Sequence, residues 1–384
     1  MQTSTPSQET TQPNFLDYFK NIKDPRINRK KLYPMEEILL VTITAIICGA
    51  EGWADLALFG KKKIEYLKQI LPFKNSTPTD DTFRRFFRNL DAEQFKKFFI
   101  EWVKSLQNNN PKFVAIDGKT LRRSHDHAEN KSAIHMVSAW CNEQNMVLGQ
   151  FKTEEKSNEI TAIPQLLDLL SIESAVVTID AMGCQKKIAN KIIDKKADYI
   201  LAVKDNQSSL HQEIINFFSR HKALQYKGQG FEFKQYEETE KGHGRIEIRK
   251  YIAIDQISWM DANWEWAGIK SIIMVESTRI IGDKISHEAR HYISSLPSDI
   301  NKISHAIRSH WSIENSLHWV LDVSFNEDQS RIRKGNVPQN VTIVKHVVLN
   351  LLKQAQKKLK GVSVKGLRKA AGWDCGTLSL VLGF

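Results

Sequence analysis

The sequence predicts a mixed α/β protein with a helical segment in front and a β-rich stretch past its middle. Three observations carry that expectation. Helical apolar stripes fill residues 14–110, short apolar strands alternating with helices begin at Phe113, and long helical patterns return after residue 298.

Residues 1–13 are polar and read as a disordered tail. The apolar run from Ile38 to Ala50 is broken only by Thr42, Thr44 and Gly49. It falls short of the ~20 residues a membrane span requires, so it reads as a buried helix. Phe83, Phe86, Phe87 and Leu90 form a helical stripe after the breaker-rich residues 75–79, with Arg84, Arg85 and Arg88 on the opposite face. Asp91, followed three residues later by Gln94, resembles a capping box opening a helix that carries Phe95, Phe98, Phe99, Trp102 and Leu106.

From residue 112 the grammar changes. Phe113 to Ile116 is a short strand ended by Asp117 and Gly118. Residues 134–140 and 146–151 read as a hairpin. A helix over 159–170, a strand over 175–179 ending at Asp180, a helix over 184–195 and a strand over 199–203 follow. An antiparallel hairpin first and βαβ units after is the order of a ribonuclease-H-like mixed sheet flanked by helices. The expected layout is thus a helical N-terminal domain (14–110), a core in two pieces (111–206 and 298–360), a β-rich insertion (207–297) and a C-terminal tail (361–384). Within the insertion, residues 246–254 and 269–280 lean towards strand. After it, helices are expected over 299–323 and 341–359.

The 384 residues are 41% hydrophobic and 26% charged, which suits a globular protein of two or three structural units. The formal net charge of +11 favours a polyanionic partner, most simply nucleic acid. No signal-peptide pattern opens the chain. Its four cysteines, Cys48, Cys141, Cys184 and Cys375, have no paired spacing, which fits a reducing cytoplasm better than a zinc or disulfide framework.

Asp117 and Asp180 each follow an apolar strand and precede a turn. Either alone suits a turn. Two carboxylates converging at neighbouring strand ends repel one another unless a cation lies between them, and a hard ion such as Mg²⁺ is the natural occupant. Glu314 falls within the apolar arc of Ile303, Ile307, Ile313, Leu317, Val320 and Leu321, where a carboxylate must be paired, protonated or metal-bound. Pairing with Arg331 or Arg333 is the ordinary alternative. His310 and His318 lie one turn to either side, and Trp319 points to the polar face, where it could pack under the insertion or stack on an extruded base. Lys119, Arg122 and Arg123 follow the first acid. His243, Arg245 and Arg249 alternate onto one strand face. Both runs are either solvated surface or contacts to a DNA backbone.

Six strings run in order through this stretch: residues 115–119 (AIDGK), 155–160 (EKSNEI), 178–182 (TIDAM), 242–247 (GHGRIE), 310–315 (HWSIEN) and 321–328 (LDVSFNED). Together they resemble insertion-sequence transposases of the DDE type, the group that includes the H-repeat-associated, Rhs-linked proteins. The helical segment with residues 80–84 (DDTFR) is similar to the domain that precedes their core. The resemblance implies a ribonuclease-H-like core, two Mg²⁺ or Mn²⁺ ions, and cutting and joining at inverted repeats. The catalytic and metal-holding acids fall on Asp117, Asp180 and Glu314. Around the third acid, Trp311 and Ile313 match the wider cut-and-paste signature. Ile307, His310 and Leu321 stand where tyrosine, arginine and lysine would. Expected partners are double-stranded DNA, as element ends and target, and a second copy of the chain when ends are paired. The setting would be the bacterial cytoplasm, at the nucleoid. Arg84, Arg85 and Arg88 are candidates for holding the element ends. Hydrolysis without joining, or DNA binding without catalysis, are the alternatives.

Overall fold

A computed structural model describes residues 15–107, 109–125, 132–153, 159–227, 230–242, 244–260 and 265–384, so the expected tail lies outside it. Two compact units emerge, and each gathers segments far apart in sequence. Among the described residues, the first contains 15–107, 123–125 and 321–384, and the second contains those within 109–122 and 132–320.

The first unit is helical. Its leading helices are α1 (Phe15–Phe19), α2 (Met35–Ile47), α3 (Trp53–Lys62), α4 (Ile64–Leu67), α5 (Asp80–Asn89) and α6 (Ala92–Leu106). The run expected to be a buried helix is α2, and twelve of its thirteen residues are buried. Asp91 caps α6, accepting from the N–H groups of Glu93 and Gln94 at 2.9 Å each. This satisfies two of the donors that a helix N-terminus leaves without partners. α5 is two-sided as expected: Phe83, Phe86 and Phe87 are buried, while Arg84, Arg85 and Arg88 are exposed.

The second unit holds one nine-stranded sheet in the order β3-β2-β1-β4-β5-β9-β8-β7-β6. Its first strands are β1 (Phe113–Thr120), β2 (His135–Cys141), β3 (Met146–Lys152), β4 (Val176–Ile179) and β5 (Asp198–Val203). β2 and β3 are the expected hairpin, and β1, β4 and β5 run parallel. Three helices join these strands and continue from them: α7 (Glu159–Leu169), α8 (Lys186–Asp194) and α9 (Ser208–Lys222).

The middle stretch, expected as a β-rich insertion, holds the other four strands of the sheet. Its strands are β6 (Lys234–Gly242), β7 (Arg245–Ile254), β8 (Ser271–Ile281) and β9 (Lys284–Ser294), all antiparallel, and β9 pairs with β5. The core sheet therefore continues into the middle stretch through a shared hydrogen-bond ladder. β6 and much of β9 are charged and exposed, which conceals them from a search for apolar alternation.

After β9 come α10 (Ile300–His310), a π-helical segment (Glu314–His318), α11 (Trp319–Phe325), α12 (Val337–Lys358), α13 (Val364–Trp373) and α14 (Cys375–Leu382). α10 packs on β1, β4 and β5. The long helix expected over 299–323 is thus interrupted. α12 belongs with the first unit, because it is buried on nearly all sides among α2, α5, α6, α13 and α14. Asn340 on α12 donates to the Phe87 and Leu90 carbonyls at 2.9 Å, and Arg368 on α13 donates to the Ile46 carbonyl at 2.7 Å. Both finish the C-termini of helices whose last carbonyls lack partners. The division expected from element type, with residues 298–360 assigned to the core, thus runs differently from these units. Residues 361–384, expected as a tail, are α13 and α14.

Candidate active site and nucleic-acid groove

β1 and β4 set the geometry of the first two acids. Ile116 pairs with Ile179 in the parallel register, so Asp117 and Asp180 are the next residues on adjacent strands, about 4.8 Å apart in backbone spacing. Contrary to the expected strand end, β1 runs on through Asp117 and Gly118 to Thr120, because β2 continues to pair with it after β4 has ended.

Asp117 Oδ1 accepts from the Gly118 N–H at 2.9 Å, and His318 Nδ1 lies 3.5 Å from Oδ2. Asp180 caps a short 3₁₀ turn, accepting from Met182 and Gly183 N–H at 3.2 and 3.4 Å. Both carboxyls are nonetheless pushed up. Burial drives Asp117 to about 7; the Gly118 N–H opposes this, while Asp180, Glu159 and Glu314 add to it. Asp180 is raised by burial first and then by Glu159, against its two turn N–H groups and Lys204.

A raised carboxyl has a definite consequence for stability. The folded state holds a proton that the unfolded chain releases near the ordinary value of 3.8. The stability contributed is therefore full below about pH 4 and is lost progressively until the pH passes about 7. In the absence of divalent ions, the wild type should lose more stability than Asp117→Asn between pH 5 and 7.5. Parallel slopes in denaturant melts would contradict this.

Glu314 differs from expectation. It opens the π-helical segment, and although Ile313, Leu317, Val320 and Leu321 of the expected arc are buried, Glu314 is not. Its side chain is exposed and lines a groove instead of lying buried. Burial still raises its carboxyl, and the charge opposing that rise is Arg290, not Arg331 or Arg333. Among the described residues, no three His, Cys, Asp or Glu side chains close around one point as metal ligands do. Glu327, in the last of the matching strings, is buried and pairs with Lys345 at 3.4 Å.

The groove beside Glu314 has a volume of about 540 Å³ and lies between α10 and the outer face of β7, β8 and β9. Arg245 and Arg249 face it together, as the alternation on β7 implied; His243 lies outside the described residues. Arg279, Arg290, Arg308 and Trp311 line it as well, and sequence reasoning missed all four. Their signal is visible only in pairing, since β7 and β8 bring Arg279 opposite Glu247. Glu247 is buried between three guanidiniums: Arg279 at 2.9 Å, Arg245 at 3.1 Å, and Arg249 in close contact. Glu240 holds Arg249 at 3.0 Å and Arg308 at 2.9 Å. Arg290 is braced by Glu288 at 2.8 Å and lies 5.1 Å from the centre of the Trp311 ring. The lining thus offers fixed, planar, cationic donors, which suit phosphate oxygens.

The other expected contacts distribute differently. His310 is turned to the sheet, where Thr178 Oγ1 lies 3.0 Å from Nδ1. Burial lowers its pKa to about 4, so it stays neutral and suits a supporting contact better than a phosphate contact. Trp319 is 59% exposed, on the polar side as expected. Lys119 is half-buried on β1, and Arg122 and Arg123 are exposed in the turn after it. In the helical unit, Asp81 pairs with both Arg84 and Arg85. These exposed pairs are weak and exchangeable with phosphate. Neutralising Arg84, Arg85 and Arg88 together should lower the salt slope of DNA binding by about three, at roughly 0.9 per contact. An unchanged slope in binding titrations would return the face to ordinary surface.

Comparison with known proteins agrees with the strings in the sequence. Residues 108–351 match the model of the transposase DDE domain, and residues 16–103 match that of the DDE_Tnp_1-associated domain. The chain is 46% identical over 361 residues to "Putative transposase YncI" of Escherichia coli O157:H7, covering 93% of this chain and 91% of that one. It is 40% identical over 362 residues to "H repeat-associated putative transposase YhhI" of Escherichia coli K12, covering 93% and 94%. Among solved structures, a piggyBac transposase synaptic complex with hairpin DNA aligns at a TM-score of 0.45 and 9% identity, covering 95% of this chain and 76% of that one. That last likeness is too distant to carry an argument. The two matching models, one of them spanning more than half of the sequence, and relatives of this identity and coverage show that the chain belongs to the DDE transposase family.

Proposed function

We propose that this protein is an insertion-sequence transposase that cuts DNA at inverted repeats and joins the released 3′ ends to target DNA. The observation that carries the reading is the pair Asp117 and Asp180, next to each other on adjacent strands, half-buried and both raised, in the same unit as an arginine-lined groove ending at Glu314. Its sheet, an antiparallel hairpin beside parallel strands, supports a ribonuclease-H-like core.

The donor set fits hard divalent ions, Mg²⁺ or Mn²⁺, two in number by the family resemblance. All three acids offer carboxylate oxygen, and Asp180 beside Asp117 raises it, a repulsion that a cation would relieve. Such ions would activate a water and offset charge on a departing 3′ oxygen. The chain's own contribution is positioning. Asp117 and Asp180 are fixed by backbone N–H groups, His318 stands beside Asp117, and the groove arginines hold phosphates so that a scissile bond reaches the acids. Arg84, Arg85 and Arg88 would hold element ends, with Lys119, Arg122, Arg123, Arg245 and Arg249 on flanking phosphates. Two copies would pair two ends, in the cytoplasm at the nucleoid.

The test is incubation of the chain with its own element ends, target DNA and Mg²⁺ or Mn²⁺, followed by product sequencing. Joined products flanked by short target duplications are expected. Hydrolysed ends without joining would make it a nuclease instead.

A further inference from the structure

We propose that Glu159 is a fourth acid of the metal-holding centre, and that His135, oriented by Thr120, is its positioning residue. This rests on the reading of Asp117 and Asp180 as holders of a divalent ion.

Glu159 is the first residue of α7 and is buried. Its Oε1 lies 2.6 Å from His135 Nε2, and His135 Nδ1 lies 2.8 Å from Thr120 Oγ1. With a neutral imidazole these contacts form one directed chain: the Thr120 hydroxyl donates to Nδ1, and Nε2–H donates to the carboxylate. Thr120 ends β1 and His135 begins β2, and the two are register partners, so the holder of Glu159 is built from the strand that carries Asp117.

Gly118 is the second observation. Its side-chain direction is opposite to that of Asp117 on the same strand. A Cβ there would overlap both the Glu159 carboxylate and the His135 ring. Only glycine lets this pair approach the backbone beside the first acid. Glu159 also adds to the field on both aspartates, and on Asp117 its effect ranks above that of Glu314. Carboxylates that raise one another are in conflict, and a hard cation bound by oxygen would resolve it. His135 then plays the part of a hydrogen-bond donor that orients a ligating carboxylate.

The experiment measures Mn²⁺ binding to the full chain by electron paramagnetic resonance, with the Mn²⁺ requirement of DNA cleavage as the second readout. Glu159→Gln should weaken Mn²⁺ binding by at least about tenfold and raise the ion concentration for half-maximal cleavage in step. His135→Ala should move both in the same direction, and His135→Gln, which keeps a donor, should recover part of the loss. Gly118→Ala, which displaces the pair without removing a carboxylate, should reproduce the weakening. Wild-type Mn²⁺ affinity in Glu159→Gln, alongside lost affinity in Asp117→Asn, overturns the proposal. If Asp117→Asn itself binds Mn²⁺ normally, the underlying reading fails and takes this one with it. Should Glu159→Gln not fold, unchanged affinity in both Gly118→Ala and His135→Ala overturns it instead.

Discussion

Asp117→Asn and Asp180→Asn should each reduce DNA cleavage by at least about a thousandfold while leaving the fold and DNA binding in place. The size follows from what the substitution removes. Charge-neutral amides occupy nearly the same volume, so packing is preserved, but the negative oxygen that would hold a cation is gone. Two-metal sites rely on both attacking and leaving oxygens being stabilised, and losing one holder compromises both. Because burial and neighbouring carboxylates already raise both carboxyls, the amides should also fold at least as well as the wild type. DNA affinity should hold or rise slightly, since a negative charge near phosphates has been removed. Cleavage assays paired with binding titrations and melts decide it. A variant that loses activity only because its melting transition collapses would show the aspartates to be structural caps.

Glu247→Ala should destabilise the sheet unit by about 2–3 kcal/mol, a large loss for a residue outside the acid set. Glu247 is buried, and its two oxygens meet three guanidiniums from two strands. Removing one member of a buried ionic set leaves like charges facing each other without their counterion. The loss stays near the low end because Arg245 and Arg279 reach solvent, whereas Arg249 keeps Glu240 at 3.0 Å. Denaturant titration monitored by tryptophan fluorescence measures it. A change below about 0.5 kcal/mol, the range of ordinary surface substitutions, would show that the cluster holds nothing in place.

The parts of the fold that were legible are those whose period is carried by apolar residues. The hairpin of β2 and β3, the βαβ run through β5, the α5 stripe and the Asp91 cap all repeat a local pattern, and local patterns survive into the fold. β6 and β9 were not legible, because their residues are charged and their strand character comes from the neighbours they pair with. In the site, Asp117 and Asp180 stood out because each follows an apolar strand. The apolar arc held at Ile313, Leu317, Val320 and Leu321, but Glu314 at its margin is exposed. Glu159 sat in a recognised string, residues 155–160, yet its proximity to both aspartates depends on Gly118 and on the β1–β2 register, which only the folded chain supplies.

The ladder between β5 and β9 has a consequence for how this chain emerges from the ribosome. β5 is complete at Val203, but the strand that covers its outer edge begins only at Lys284. At about 5–20 residues per second, the edge stays open for roughly 4–16 s while the intervening 80 or so residues are made. An uncovered run of backbone donors and acceptors is a template for pairing with another chain. The helical unit has a parallel delay, since α12, which fills its centre, is translated after every strand. Slow synthesis and crowding between nascent copies should therefore limit how much of this protein reaches its native state, well before any DNA is met.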